Sequence, residues 1–154
     1  MKLFTEATDS LKYNKGDLNN HSGIGAVIKN DKDEILMLEH IKFGFWTIPV
    51  GKVDPGDSLQ KTLYKELKEE VNIDVKDYEF VSMETRKYKR EGNTVKVKQH
   101  LYIIKEWDGE VKNNEKNKHS DLQWMSLKEI KKLNNISDST KAMIRHFNII
   151  NNVG

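Results

Sequence analysis

The spacing of apolar and polar positions divides the chain into strands, turns and helices. Ser22 to Asn30, SGIGAVIKN, reads as a strand. Its small residues Gly23, Gly25 and Ala26 let another backbone or a ligand come close, and tight packing on the central helix is the simpler use for them. Lys29 to Asp33 is a polar turn. Glu34 to His40, EILMLEH, reads as a second strand that pairs with the first as a hairpin. Ile41 to Ile48 carries Phe43, Phe45 and Trp46 around Gly44. Aromatics of a loop either stack a nucleobase or fill the core, and Trp46 is read as core. Ahead of these, Met1 to Asn20 is polar and mixed. Leu3 and Phe4 start a short strand there, and residues 1–20 otherwise read as a loosely ordered segment.

The period changes at residue 59. Gly51, Pro55 and Gly56 mark a loop, Asp57 or Ser58 can cap a helix, and no Pro or Gly interrupts Leu59 to Val71. At about 100° per residue, Leu59, Leu63 and Leu67 form one apolar stripe, and Lys61, Lys65 and Lys68 fall roughly opposite. The acids do not join the lysines. Glu70 lands inside the leucine stripe, Glu66 at its edge, and Glu69 farther out. A carboxylate on the core side of a helix costs several kcal/mol unless it is paired or bound to a cation. Glu66, Glu69 and Glu70 stand at i, i+3 and i+4, so their side chains converge and repel. A hard divalent cation with a preference for oxygen ligands relieves that repulsion. The alternative is a solvated acidic helix end partnered by Lys65 and Lys68.

Beyond the helix, Asp74 to Asp77 reads as a turn, and Tyr78 to Lys89 and Thr94 to Trp107 as two long strands. Their tip, RKYKR at Arg86 to Arg90, is basic, suited either to substrate phosphates or to water. Val95, Val97, Gln99, Leu101 and Ile103 share one strand face. Gln99 interrupts it, so its amide is either hydrogen-bonded in the core or directed into a site. Asp108 to Ser120 is a polar loop, Leu122 to Met125 a short strand, and Ser126 to Leu133 a short helix capped by Ser126. A last helix capped by Ser137 runs through Ile150 and buries Met143, Ile144, Phe147 and Ile150.

Composition narrows the class. A length of 154 residues suits a single domain over 1–154. With 26 basic and 24 acidic residues the net charge is +2, which predicts neither a stable nucleic-acid complex nor membrane attraction. There is no cysteine, so no disulfide, thiolate metal site or cysteine nucleophile. The five histidines show no ligand spacing that would suggest zinc. No apolar run approaches the length of a membrane span and no signal-peptide core is visible, so the expected location is the cytoplasm.

The loop and helix from Gly51 to Ile73, GKVDPGDSLQKTLYKELKEEVNI, resemble the signature of the Nudix hydrolase family over 23 residues without a gap. Gly51, Glu66, Leu67, Glu69, Glu70 and Ile73 match it. Asp57 stands where the family has Glu, Lys65 where it has Arg, and Asn72 where it has Gly. Each departure keeps the chemistry: a carboxylate, a cation, and a residue tolerant of a left-handed helix end. The lead-in Trp46-Thr47-Ile48-Pro49-Val50-Gly51 is similar too, with Val50 in place of a glycine. A later stretch, Asn114-Glu115, Lys118, Leu122 and Trp124 before Met125-Ser126-Leu127, resembles a segment of members that hydrolyse nucleoside triphosphates. There Lys116 replaces a proline and Asn117 an acid. This stretch brings forward Glu115, His119 and Asp121 as extra metal ligands or a base, against the plainer reading of solvated loop residues.

The resemblance implies an α/β class fold, the Nudix-type α/β/α sandwich, with a mixed sheet between the central helix and C-terminal helices. It implies a Mg²⁺- or Mn²⁺-dependent hydrolase of nucleoside diphosphate-linked compounds. The late segment favours nucleoside or deoxynucleoside triphosphates, giving the monophosphate and pyrophosphate. ADP-ribose or dinucleotides (NADH, FAD, diadenosine polyphosphates) are the alternative substrates, and a non-catalytic nucleotide-binding regulator is the alternative role. Glu66, Glu69 and Glu70 correspond to the family's metal-holding acids, and the Val50 carbonyl to a further ligand. The catalytic residues implied are Glu66 as first choice of base, Glu69 or the late loop as alternatives, and Lys65, which stands for the arginine that orients a catalytic glutamate. A small nucleotide is the implied partner, and the family's habit allows a homodimer.

Overall fold

Ile24, Ala26, Val27, Ile28, Leu36, Met37 and Leu38 are all fully buried, so the two N-terminal strands are covered on both faces. Strands of that kind lie in the middle of sheets with helices on either side. The computed structural model describes residues 13 and 15–153; the strand expected at Leu3 and Phe4 lies outside them. Its strands are β1 (His21–Val27), β2 (Ile35–His40), β3 (Trp46–Thr47), β4 (Val50–Lys52), β5 (Asp74–Arg90), β6 (Asn93–Asp108) and β7 (His119–Met125). Its helices are α1 (Leu59–Val71), α2 (Leu127–Lys131) and α3 (Asp138–Val153), with a 3₁₀ turn at Lys15–Leu18.

The strands form two sheets, and the four-stranded one is the mixed sheet expected. One has four strands in the order β4-β1-β6-β5, with β1 parallel to β6; the other has three in the order β3-β2-β7. The expected β1–β2 hairpin does not form. Only the residues next to the turn meet, through Leu36 N–H donating to Ile28 C=O (2.9 Å) and a bridge between Lys29 and Ile35. Beyond that β1 takes β4 and β6 as partners, while β2 takes β3 and β7. Residues 46–52, read as loop, supply the two short strands β3 and β4. Asp74 to Asp77, read as a turn, is the irregular start of β5, with register shifts on both sides of Asp77. The β5–β6 connection is Glu91-Gly92 with φ 49° and 79°, the positive angles that suit a two-residue hairpin.

Two clusters of apolar side chains fill the layers. Ile24, Leu36, Leu38, Leu63, Leu67 and Val71 pack under α1. Val27, Met37, Ile48, Leu101, Ile130 and Met143 pack under α2 and α3. This is the α/β/α arrangement. Ser58 caps α1 by accepting from Lys61 N–H at 3.0 Å, and Asn72 ends it in the left-handed region at φ 65°. A capping box of Ser126 and Glu129 starts α2. Ser137 Oγ accepts from Thr140 N–H (3.2 Å) at the start of α3. Met143 is buried there, but Ile150 is 48% exposed, because the second core ends at Phe147. Gly25 faces α3 rather than the central helix: a Cβ on it would sit 3.3 Å from that of Ser139. Among the described residues no helix is long and apolar enough to cross a membrane.

Candidate active site

A cavity of about 570 Å³ opens where β4, α1, the inner face of β5, the 41–45 turn and the loop after β6 converge. The leucine stripe of α1 puts acids into it. Glu70, one helical turn beyond Glu66 and on the buried face, is only 3% exposed, and its Oε2 has no hydrogen-bond partner. Burial drives its carboxyl well above the usual range, and the charges of Glu66 and Glu115 add to the effect. Glu66 is half-buried at the cavity wall. Burial first, and Glu69 second, push it up to about 7. Glu69 is exposed and reaches the site through its charge.

Gly51 explains how Glu66 comes so near the backbone of β4. A Cβ on residue 51 would lie 2.4 Å from Glu66 Cγ and 2.6 Å from its Cδ, so only glycine fits behind that side chain. Val50 lies opposite Gly25 in the sheet and lines the same cavity. Lys65, whose position implies a hold on a catalytic glutamate, has its ammonium on Asp54 of the loop before α1. Its Nζ is 3.4 Å from Asp54 Oδ2, and that bond raises the ammonium pKa. Asp57 pairs with Lys61 at 3.0 Å, and Lys68 with Asp74 at 3.3 Å. Thus Val50, Glu66 and Glu70 share the cavity, Glu69 stands beside them, and Lys65 is paired with Asp54 of the loop before α1.

The loop after β6 contributes the residues that were expected to be solvated. It hooks onto the end of α1. Lys112 N–H donates to Val71 C=O (3.1 Å), Asn114 N–H to Glu70 C=O (2.9 Å), and the Asn72 amide to Glu110 C=O (2.9 Å). The Asn113 amide donates to His119 C=O at 2.8 Å. These bonds carry Glu115 and His119 to Glu70, and one donor atom from each of the three lies within 4.8 Å of the others. His119 is 3% exposed, so the expectation of a solvated residue fails for it. Asp121 is not part of the group; its carboxylate accepts from Leu122 N–H and the Gln123 amide. The residue types were visible in the sequence, but their meeting depends on backbone bonds that no periodicity signals.

The rest of the cavity is aromatic and basic. Phe43 and Phe45 stand with ring centroids 5.3 Å apart, and His40 lies 4.7 Å from Phe43. Burial, then His119, hold His40 down at about 4, so this wall is neutral near pH 7. Phe45 is buried and Phe43 half-buried, and both line the cavity. Alternation along β5 turns Arg86, Tyr88 and Arg90 inward and leaves Lys87 and Lys89 exposed. Arg86 pairs with Glu84, which also accepts from Arg145 at 2.7 and 2.8 Å. Gln99 faces the cavity rather than the core, with Oε1 in the space a Gly23 side chain would take.

Two convergent acids, Glu70 and Glu115, each with a buried carboxylate oxygen without a partner, and the neighbouring His119 imidazole are a donor set that fits a divalent cation. The profile of the NUDIX domain matches residues 19–147. The chain belongs to the NUDIX family. An 8-oxo-dGDP phosphatase of Danio rerio is 39% identical to it over 54 residues, covering 33% of this chain and 17% of the relative. An RNA pyrophosphohydrolase of Ruthia magnifica is 36% identical over 52 residues, covering 34% of this chain and 29% of the relative. The chain thus spans less than a third of the length of these curated relatives. The crystal structure of a MutT protein from Methanosarcina mazei superposes with a TM-score of 0.68 at 22% identity, covering 86% of this chain and 96% of that one. At that identity it shows the shared fold. In Nudix terms, the signature helix is α1 and the signature loop runs from β4 to Ser58.

Proposed function

We propose that this Nudix protein is a divalent-metal-dependent hydrolase of nucleoside diphosphate-linked compounds, acting on nucleoside or deoxynucleoside triphosphates to give the monophosphate and pyrophosphate. The observation that carries the reading is the pair of acids at one end of a cavity walled by aromatics and arginines, the half-buried Glu66 packed against Gly51 and the buried Glu70 one turn beyond it. Glu66, Glu69, Glu70 and the Val50 carbonyl would hold Mg²⁺ or Mn²⁺. The bound ion would neutralise diphosphate charge and acidify a water.

The chain's own groups then have distinct tasks. Glu66 borders the cavity, so it is the carboxylate placed to accept a proton from an attacking water; Glu70 is too enclosed for that task. Phe43 and His40 offer ring faces to a nucleobase. Arg86, Arg90 and Lys118 offer cationic donors to the anionic chain. Lys65, tied to Asp54, braces the signature loop over α1. The printed names of the relatives, an 8-oxo-dGDP phosphatase and an RNA pyrophosphohydrolase, support a phosphorylated nucleoside as substrate. Within this reading the chain is one domain, supported by the profile's span over residues 19–147.

The test is a substrate panel with Mg²⁺, its products resolved by chromatography. It includes common and oxidised nucleoside triphosphates, 8-oxo-dGDP, ADP-ribose, NADH, FAD and diadenosine polyphosphates. Monophosphate and pyrophosphate from a triphosphate support the reading. AMP from ADP-ribose or a dinucleotide alone would overturn the substrate while keeping hydrolysis. Tight nucleotide binding without turnover would replace the enzyme with a regulator.

A further inference from the structure

We propose that Glu70, Glu115 and His119 form a cation site of mixed oxygen and nitrogen donors, which selects a borderline first-row ion such as Co²⁺ or Zn²⁺ over Mg²⁺. The inference deepens the function proposed above and shares only Glu70 with the acids assigned there.

Three observations carry it. First, the three donors converge within 4.8 Å. His119 Nε2 stands 3.7 Å from Glu70 Oε1, too far for a hydrogen bond between them. Two atoms each bound at about 2.0–2.2 Å to one tetrahedral ion are separated by about 3.3–3.6 Å. The gap is therefore close to that between two ligands of one ion. Second, the group is unsatisfied. Glu70 and His119 are each 3% exposed, and Glu70 Oε2, Glu115 Oε1 and His119 Nδ1 are buried without partners. Buried polar atoms in that state are rare and costly. Lys118 reaches the other oxygen of Glu115, at 3.5 Å from Oε2, and leaves Oε1 to the cluster. Third, the donors are held in place. The His119 ring packs edge-on against His40 with centroids 5.5 Å apart, and its carbonyl accepts from the Asn113 amide. The loop carrying Glu115 is pinned to the Glu70 carbonyl by Asn114 N–H at 2.9 Å.

The nitrogen decides the ion. Carboxylates alone suit Mg²⁺, Ca²⁺ and Mn²⁺, whereas imidazole shifts preference to first-row transition ions. An all-carboxylate group on α1 and a mixed group at the end of α1 would therefore take different ions.

The test uses the full chain stripped of metal by chelation. Co²⁺ is titrated in, and imidazole proton resonances are followed for paramagnetic shifts. Mg²⁺ affinity is measured separately by calorimetry. The expected result in the wild type is a strongly shifted imidazole set from the ligand His119, beyond a smaller shift of its neighbour His40, and the loss of the strongly shifted set in His119→Asn. Because Co²⁺ outranks Mg²⁺ at most sites, the readout is a selective loss: His119→Asn weakens Co²⁺ by about tenfold or more and Mg²⁺ by less than about threefold. Glu66→Gln separates the two proposals. It should weaken Mg²⁺ yet keep the shifted imidazole signal, and that signal stands even if no substrate is turned over. Absence of strongly shifted imidazole resonances in the wild type would overturn the site. So would equal losses of Co²⁺ and Mg²⁺ in His119→Asn. If His119→Asn does not fold, the wild-type resonances decide alone.

Discussion

Replacing Gly51 with alanine tests the packing on which the site is built. The backbone at residue 51 is not in the left-handed region, so alanine meets no conformational barrier there. Its Cβ would lie 2.4 Å from Glu66 Cγ and 2.6 Å from Cδ. Those are inner atoms of the side chain, so the whole carboxylate must move. Overpacking of this kind costs about 1–3 kcal/mol. Loss of glycine's freedom in the unfolded chain returns about 0.4–1 kcal/mol. The net cost is then roughly 0–2.6 kcal/mol, or a melting temperature lower by up to about 10 °C for a chain of this size. Displacing Glu66 by about an ångström should lower kcat/KM by about 10²-fold. Urea denaturation of Gly51→Ala, Glu66→Ala and the double variant supplies the cycle. Glu66→Ala has no Cγ, so the steric cost of the methyl added at position 51 should vanish in that background, leaving a coupling of about 1 kcal/mol or more. A Gly51→Ala protein as active as the wild type, or costs that simply add, would refute the contact.

Three further outcomes are expected. Lys65→Arg should keep or raise the rate and Lys65→Met lower it, with little change in the urea midpoint because the Asp54 pair is exposed; equal rates in all three would remove Lys65 from the mechanism. In chelator, stability should fall between pH 6.5 and 8.5. Burial raises Glu66 to about 7 and Glu70 well above the usual range, so the folded chain keeps protons that the unfolded chain has already released, and this contribution is lost as pH rises. The lowered histidines, His21, His40 and His119, act at lower pH, where the unfolded chain protonates first. A urea midpoint flat or rising across the higher window would contradict this. Tyr88→Phe should cost about 1.5–3 kcal/mol by urea denaturation, the worth of a hydrogen bond to a charged group. It removes the hydroxyl that donates to Asp138 Oδ2 at 2.5 Å and ties β5 to α3; an unchanged midpoint would show the bond to be absent in solution.

The helical wheel of residues 59–71 carried most of the site. It put Glu70 in the leucine stripe, Glu66 at the edge and Glu69 outside, and the structure finds them buried, half-buried and exposed. Local period suffices there because α1 packs with one face. Partner choice between strands is another matter. β1 pairs in parallel with β6, where Gly23 meets Gln99 from a distant part of the chain, and the short-range pattern could suggest only a hairpin with β2. Glu115 and His119 were hidden for a similar reason: bonds from Asn114 to Glu70 and from Asn72 to Glu110 fold a polar loop onto a helix end. The role of Lys65 came from the resemblance, and its pairing with Asp54 was not legible in the pattern.

The most direct test is Glu70→Gln, which keeps shape and removes the buried charge. Mn²⁺ binding and nucleotide hydrolysis are measured on the same preparation, with circular dichroism confirming the fold. The expected result is a native or more stable fold, Mn²⁺ affinity weakened by about tenfold or more, and hydrolysis lost by about 10²-fold or more. A Glu70→Gln protein that binds Mn²⁺ and turns over substrate as the wild type does would contradict a catalytic metal held by this helix.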